Sequence, residues 1–222
     1  MAATTQPSRN DTSSGSGRKG VSVSIRPATK KDAQQLLQLH KDVIQHDPSG
    51  LLRQPWEITE DFIHDVLEKS IPCKMIFVAE TEMVEEKGKD RADSDNDDRE
   101  SATKNYVIVG EIHAHTPPIA ALRHLLTDLA IAVHPSTQGQ GVGRKLFEHF
   151  LENVPPSIAR VELYTRENNQ RNVEFYKRLG FVSEGPQKHK ICMPNRELQT
   201  PIHMVWFNPS FDIDTVSILT RL

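Results

Sequence analysis

The chain has 222 residues and a mass of 25.1 kDa, with 36% hydrophobic residues, 26% charged residues and a formal net charge of −3. That suits one soluble globular domain with tails, and it gives no basic surface of the kind that binds nucleic acid. No apolar run approaches the roughly 18 residues of a membrane span, and Cys73 and Cys192 make no disulfide framework, so a reducing compartment is expected, the cytoplasm with the nucleus left open.

Residues 1–20 are rich in Ser, Thr and Gly and lack an apolar core, which predicts a disordered tail rather than a secretory leader. Residues 21–26 alternate and end at Arg26-Pro27, the pattern of a first strand and a turn. Asp32 then opens a helix with Ala33, Leu36, Leu37, His40 and Ile44 on one stripe, broken at Asp47-Pro48-Ser49-Gly50. Thr59 reads as the N-cap of a second helix that turns Phe62, Ile63, Val66 and Leu67 inward. Strands are expected at 75–79 and 106–115. Between them, residues 82–100 hold nine acids and four bases, so an acidic, solvated insertion is expected over 82–104, either a tolerated surface loop or a patch that attracts cations.

Residues 126–133 form the next expected strand, followed by Gln138-Gly139-Gln140-Gly141-Val142-Gly143-Arg144 and a helix over 141–153 with Val142, Leu146, Phe147, Phe150 and Leu151 inward. Pro155-Pro156 stops that helix. A strand at 160–165, a helix at 169–179 closed by Gly180, and strands at 181–182 and 201–207 complete the pattern, with a polar loop expected at 187–200. The plan is a mixed α/β sheet, mostly antiparallel, with helices packed on it and one core over residues 21–210; residues 211–222 are left as a C-terminal tail.

Strand, glycine turn and helix in that order make an anion cradle, because the first N–H groups of a helix lack intrahelical partners and glycine lets a ligand come close. A phosphate or pyrophosphate is the natural guest. The run is not a P-loop, since Lys145 is followed by Leu146, and it lacks the Gly-x-Gly-x-x-Gly spacing of a dinucleotide fold.

Two linked motifs carry a resemblance. Gln138-x-x-Gly141-x-Gly143 is similar to the Q/R-x-x-G-x-G/A loop of GNAT-superfamily N-acetyltransferases. Asn169-x-x-Asn172-x-x-Phe175-Tyr176-x-x-x-Gly180-Phe181 matches the family's second motif, with Asn172 where an alanine is usual. Ile25-Arg26-Pro27-Ala28 and Asp32 also fit the family's opening. The resemblance spans roughly residues 20–210. It implies an α+β, GNAT-like acyl-CoA N-acyltransferase fold with a mostly antiparallel six- to seven-stranded sheet flanked by helices. It also implies acetyl-CoA as cosubstrate, no metal, and an amine acceptor attacked directly in a ternary complex. Neither nucleic acid nor membrane is an expected partner, and the state expected is monomer or homodimer.

By the same resemblance the pyrophosphate lies over the backbone N–H groups from Gln138 to Arg144, including Gly139, Gly141 and Gly143, with the Arg144 cation beside it. The strand through Ile131 and Val133 meets the pantetheine amides, and the Ile131 N–H polarises the thioester carbonyl. Asn169 contacts the pantetheine arm, caps its own helix, or does both. Tyr176 is the general acid for the departing thiolate, or a core aromatic beside Phe175. The base is less determined. Glu111, His113 and His115 share a strand face. The position where the family often carries a glutamate falls on Thr127, and a bulge would be needed to aim Asp128 at the site. Glu111 is the first choice, followed by His113 and Asp128, each with a structural hydrogen-bonding role as the competing reading; a base acting through water is a further option. The acceptor side would be built from the first two helices and residues 117–127 and 187–200. Two rivals stand beside this reading: a non-catalytic acyl-CoA-binding or regulatory module on the same fold, and a metal enzyme using His113 and His115.

Overall fold

The computed structural model describes residues 21–47, 52–82 and 105–216. The N-terminal tail and nearly all of the acidic insertion lie outside the described residues, as do the last six residues.

The chain starts with a short strand, β1 (Ser24–Pro27), in place of the longer one expected at 21–26. Lys30–Asp32 then form a single 3-10 turn, so α1 begins one residue later than the sequence suggests and runs Ala33–His46. Asp32 does not cap it; its carboxylate turns back to accept from Arg26 Nη1 and Nη2 at 2.9 and 2.8 Å. In α2 (Glu60–Ser70) the Thr59 hydroxyl accepts from the Phe62 N–H at 3.2 Å, the expected cap. The strands β2 (Ile76–Glu82), β3 (Tyr106–His115) and β4 (Leu125–Val133) follow. Then come α3 (Val142–Glu152), β5 (Arg160–Arg166), α4 (Gln170–Arg178) and β6 (Val182–Pro186). The polar segment read as a loop carries a small hairpin, β7 (Ile191–Cys192) with β8 (Leu198–Gln199), before β9 (Pro201–Phe207).

The main sheet has seven strands in the order β1-β2-β3-β4-β5-β9-β6. Every neighbouring pair is antiparallel except β4 and β5. Helices cover both faces of the first half. On one face Leu36, Leu39 and Val43 of α1 and Ile63, Val66 and Leu67 of α2 pack on Ile76, Val78, Ile108 and Ala132. On the other, α3 and α4 share a core with Phe77, Val109, Ile112, Leu126, Val161, Leu163 and Met204. Phe147, fully buried, stands edge-on to Phe175, Tyr176 and Phe181 with centroids 5.5–6.2 Å apart, a geometry that aromatic quadrupoles favour.

Candidate functional site

The sheet is weakest at its centre. β4 and β5 pair only through Leu125–Arg160 and Leu126–Val161, and past Leu126 the two parallel strands part. Among the described residues the remainder of β4 therefore has a strand partner only on its β3 side. His134 N–H donates to Val109 O at 2.9 Å, which makes Val109–His134 a hydrogen-bonded pair. In the same register Glu111–Ala132 and His113–Ala130 are also such pairs, because antiparallel pairs alternate. Ile131 and Val133 must then turn their N–H and C=O groups toward the gap. The Val133 carbonyl is already engaged by the Gln138 side-chain amide at 3.0 Å, so Ile131 N–H, Ile131 C=O and Val133 N–H are the groups left facing the slot.

The glycine turn closes the far end of this slot. Gly139 and Gly141 have φ of +75° and +87°, a region open to glycine at no steric cost. Gly141 is the N-cap of α3, and the first intrahelical bond is Lys145 N–H to Gly141 O at 3.0 Å. The N–H groups of Val142, Gly143 and Arg144 precede that bond and have no helical acceptor. Within the turn, Gln138 N–H and Gln140 N–H are spent on Pro135 O and Thr137 O, which narrows the expected cradle to its glycines and the first helical turn. An added Cβ at Gly139 or Gly141 would meet nothing within 4 Å, so the turn is open on its outer side. Arg144 is largely exposed and pairs with Glu148 one turn on, at 2.7 Å. These donors suit a pyrophosphate, and the parted strand edge suits a chain of amides.

Asn169 caps α4: its Oδ1 accepts from Asn172 N–H at 3.1 Å. The cap uses the oxygen only and leaves the amide NH2 for other work. Tyr176 lies on the same helix, 9% exposed, beside the Phe147 ring. Burial pushes its hydroxyl up to about 12, so the group stays protonated through the physiological range.

The candidate bases on β3 are placed on the face covered by α1 and α2. Glu111 is 1% exposed; its Oε1 faces His113 Nδ1 at 2.7 Å and its Oε2 faces His40 Nε2 at 3.2 Å. Burial alone would raise its pKa, but the two imidazoles outweigh that and hold it at about 2. Asp128 sits at the expected irregularity in β4, where the register slips between His113 and His115 and φ is +53°. The bulge turns its carboxylate out to solvent, 3.5 Å from His115 Nε2. Burial lowers the His115 pKa, against the pull of Asp128. Among the described residues no group of three or more His, Cys, Asp or Glu is arranged to hold a metal ion. Cys73 and Cys192 are free thiols; Cys73 lies against Thr116, beyond the paired end of β4 and β5, and Cys192 is exposed in the hairpin.

Of the segments expected on the acceptor side, the one at 187–200 lines a cleft with the β5–α4 connection and not with the first two helices. A cleft of about 380 Å3 lies between Arg166–Asn168 and the hairpin residues Ile191 and Glu197–Thr200. Lys190 reaches over the Tyr164 ring of β5 at 3.5 Å, and Trp56 stands exposed between α1 and α2. Sequence reading placed His40 in the apolar stripe of α1 and missed its partnership with Glu111. The signal was available: a histidine in register with Leu36 and Ile44 needs a buried partner.

The comparisons with known proteins agree with this fold. A family model described as an acetyltransferase (GNAT) domain matches residues 100–183, the stretch from β3 through the glycine turn to α4. The chain has the GNAT acetyltransferase fold. A GNAT-family acetyltransferase from Streptococcus pneumoniae is similar at 21% identity and a TM-score of 0.58, over 84% of this chain and 99% of that one. A ribosomal-protein-alanine N-acetyltransferase from Brucella melitensis is similar at 18% identity and 0.61, over 83% and 99%. A GNAT-superfamily phosphinothricin acetyltransferase from Sinorhizobium meliloti, in complex with AcCoA, is similar at 13% identity and 0.62, over 85% and 90%. A search of curated proteins finds no match to this sequence.

Proposed function

We propose that the protein is an acetyl-CoA-dependent N-acetyltransferase that acetylates a primary amine, small molecule or peptide, by direct attack in a ternary complex. The observation that carries this reading is the parting of β4 and β5 immediately beside the open glycine cradle. A slot with unpaired peptide groups on one wall and helix N–H donors at its end suits pantetheine and pyrophosphate together. Acetyl-CoA would supply the activated acetyl thioester.

Ile131 N–H is aimed at the thioester carbonyl, where a fixed donor favours developing negative charge. The Tyr176 hydroxyl, kept neutral by burial, donates to the leaving sulfur, whose own pKa near ~8.5 makes it accept readily. For the base the three candidates differ from one another and from His115 beside them. Glu111 is sealed and fully bonded, and Asp128 points to solvent. His115 pairs with Thr127, where the slot has barely opened. His113, opposite Ala130 and next to Ile131, is the base. It stands one strand spacing, about 4.8 Å, from the slot, so the proton passes through water. No acyl-enzyme is involved, since neither thiol lines the slot.

The test is release of CoA from acetyl-CoA over separate panels of amino acids, polyamines, aminoglycosides and peptides. Turnover with one class is expected. Binding of acetyl-CoA without turnover on any panel would favour a non-catalytic acyl-CoA-binding module, and no binding at all would sink both.

A further inference from the structure

The buried carboxylate of Glu111 and its two imidazoles form a unit that the fold does not require for packing. Position 40 lies in an otherwise apolar stripe and position 111 in the middle of a sheet, sites where aliphatic side chains would pack without any charge to accommodate. Resting on the acetyltransferase reading above, we propose that His40 is a positioning residue. Through Glu111 it fixes His113 in the tautomer whose Nε2 accepts the proton of the incoming ammonium.

An ionised carboxylate only accepts, so both ring nitrogens that face Glu111 must carry hydrogens. His113 is therefore Nδ1–H, with its Nε2 lone pair directed away from Glu111. His40 is Nε2–H, with its lone pair on Nδ1. The two far nitrogens are not equivalent. His40 Nδ1 is buried and has no hydrogen-bond partner among the described residues, and the Phe62 ring meets the imidazole edge-on at 5.6 Å. Among the described residues His113 Nε2 has no hydrogen-bond partner, and it is not sealed from solvent. A proton added to His40 would bury an N–H with no acceptor, a costly arrangement. A proton added to His113 would point to the substrate side, with its charge beside Glu111. The asymmetry sends the proton to His113. In the reaction an N–H bond of the ammonium breaks, a water relays the proton, the Nε2–H bond forms, and the imidazolium later returns the proton to solvent. On the same face stands His115, whose own charged neighbours are Asp128 at the bulge and Lys69 and Asp65 of α2.

Nitrogen-15 spectra of histidine-labelled full-length protein read the tautomers without any turnover. The wild type should show Nδ1–H on His113 and Nε2–H on His40. His40→Leu leaves Glu111 Oε2 without its donor and the carboxylate free to turn away from His113 Nδ1, so the single His113 tautomer should be lost; His40→Gln, whose amide can return an N–H to Oε2, should hold the carboxylate in place and restore it. The pH profile of kcat/KM supplies the second readout. His113→Gln should abolish the acid limb and lower kcat by roughly 100-fold or more. With the carboxylate no longer held beside His113, His40→Leu should move that limb downward, and His40→Gln should bring it back. An acid limb that survives in His113→Gln but disappears in His115→Gln would overturn the proposal. So would His40→Leu with wild-type tautomers and a wild-type limb. If the wild type binds acetyl-CoA but acetylates nothing, the functional reading fails, and the tautomers still decide whether His40 positions His113.

Discussion

Tyr176 illustrates how one residue can serve two ends. Its ring belongs to the aromatic cluster around Phe147, and its hydroxyl is held neutral by the same burial. Tyr176→Phe keeps the ring and removes only the donor. If the hydroxyl protonates the leaving thiolate, kcat should fall by about 10- to 100-fold with little change in acetyl-CoA affinity. Single-turnover rates with calorimetric binding make the check, and an unchanged chemical step would return Tyr176 to a packing role. Asp32 supports a prediction about stability. Burial alone would raise its pKa, but the Arg26 and Thr29 donors more than offset that and hold it below the ordinary carboxylate value. A depressed folded value means the stabilisation is present above the unfolded pKa of about 3.9 and fades as pH falls through the folded one. Asp32→Asn should therefore cost about 1–3 kcal/mol at pH 7, and its melting temperature should approach that of the wild type only in acid, as the pH falls below about 3.9 and through the lower folded value. An equal gap at both pH values would show that the charge is not what matters.

Among the elements, what the sequence displays is local periodicity. β3 is legible as an element because its side chains divide between two cores, although the irregularity opposite Ala79 and Glu80 breaks the alternation and leaves Val109 and Ile112 in the same one. α4 is legible because Asn169 caps one end and Gly180, at φ +92°, closes the other. The β7–β8 hairpin is not, since two-residue strands that pair only with each other carry no hydrophobic period. The glycine cradle could be read because glycine itself marks the positive φ. The bulge at Asp128 could only be guessed at, because an ordinary residue there is held at φ +53° by the pairing on either side. The β3–α3 contact is similarly invisible in sequence. A Cβ on Gly110 would stand 2.8 Å from Leu146 Cδ1 and 3.2 Å from Val142 Cγ1, so this glycine sets how closely the helix that ends the cradle approaches the sheet. Gly110→Ala should destabilise by about 1–3 kcal/mol through overpacking. Combined with Leu146→Ala, the loss should be smaller than the sum of the single losses, by roughly 0.5–3 kcal/mol. Urea unfolding of the four-protein cycle measures this, and strict additivity would mean that the contact relaxes without strain.

For the whole molecule, the sheet is two halves, β1-β2-β3-β4 and β5-β9-β6, joined by a two-residue parallel ladder and by the shared α3–α4 core. A ligand that enters the slot would complete pairing that the polypeptide leaves undone, and one that also reaches the cradle would tie the first turn of α3 to both halves. Such a ligand binds the folded chain only, so at 100 times its Kd it adds about 2.7 kcal/mol. For a domain of this size that amounts to a rise in melting temperature of roughly 5–11 °C. Acetyl-CoA and CoA should both produce it, because both carry the pyrophosphate and the pantetheine. S-acetylpantetheine keeps the amides and the thioester but lacks the phosphates, and at the same concentration it should give a much smaller rise. Thermal unfolding with the three ligands separates the contributions of slot and cradle. Equal shifts from all three would place the affinity in the parted strands and leave the glycine turn without an anion to hold, whereas no shift from acetyl-CoA or CoA would remove the slot as their binding site.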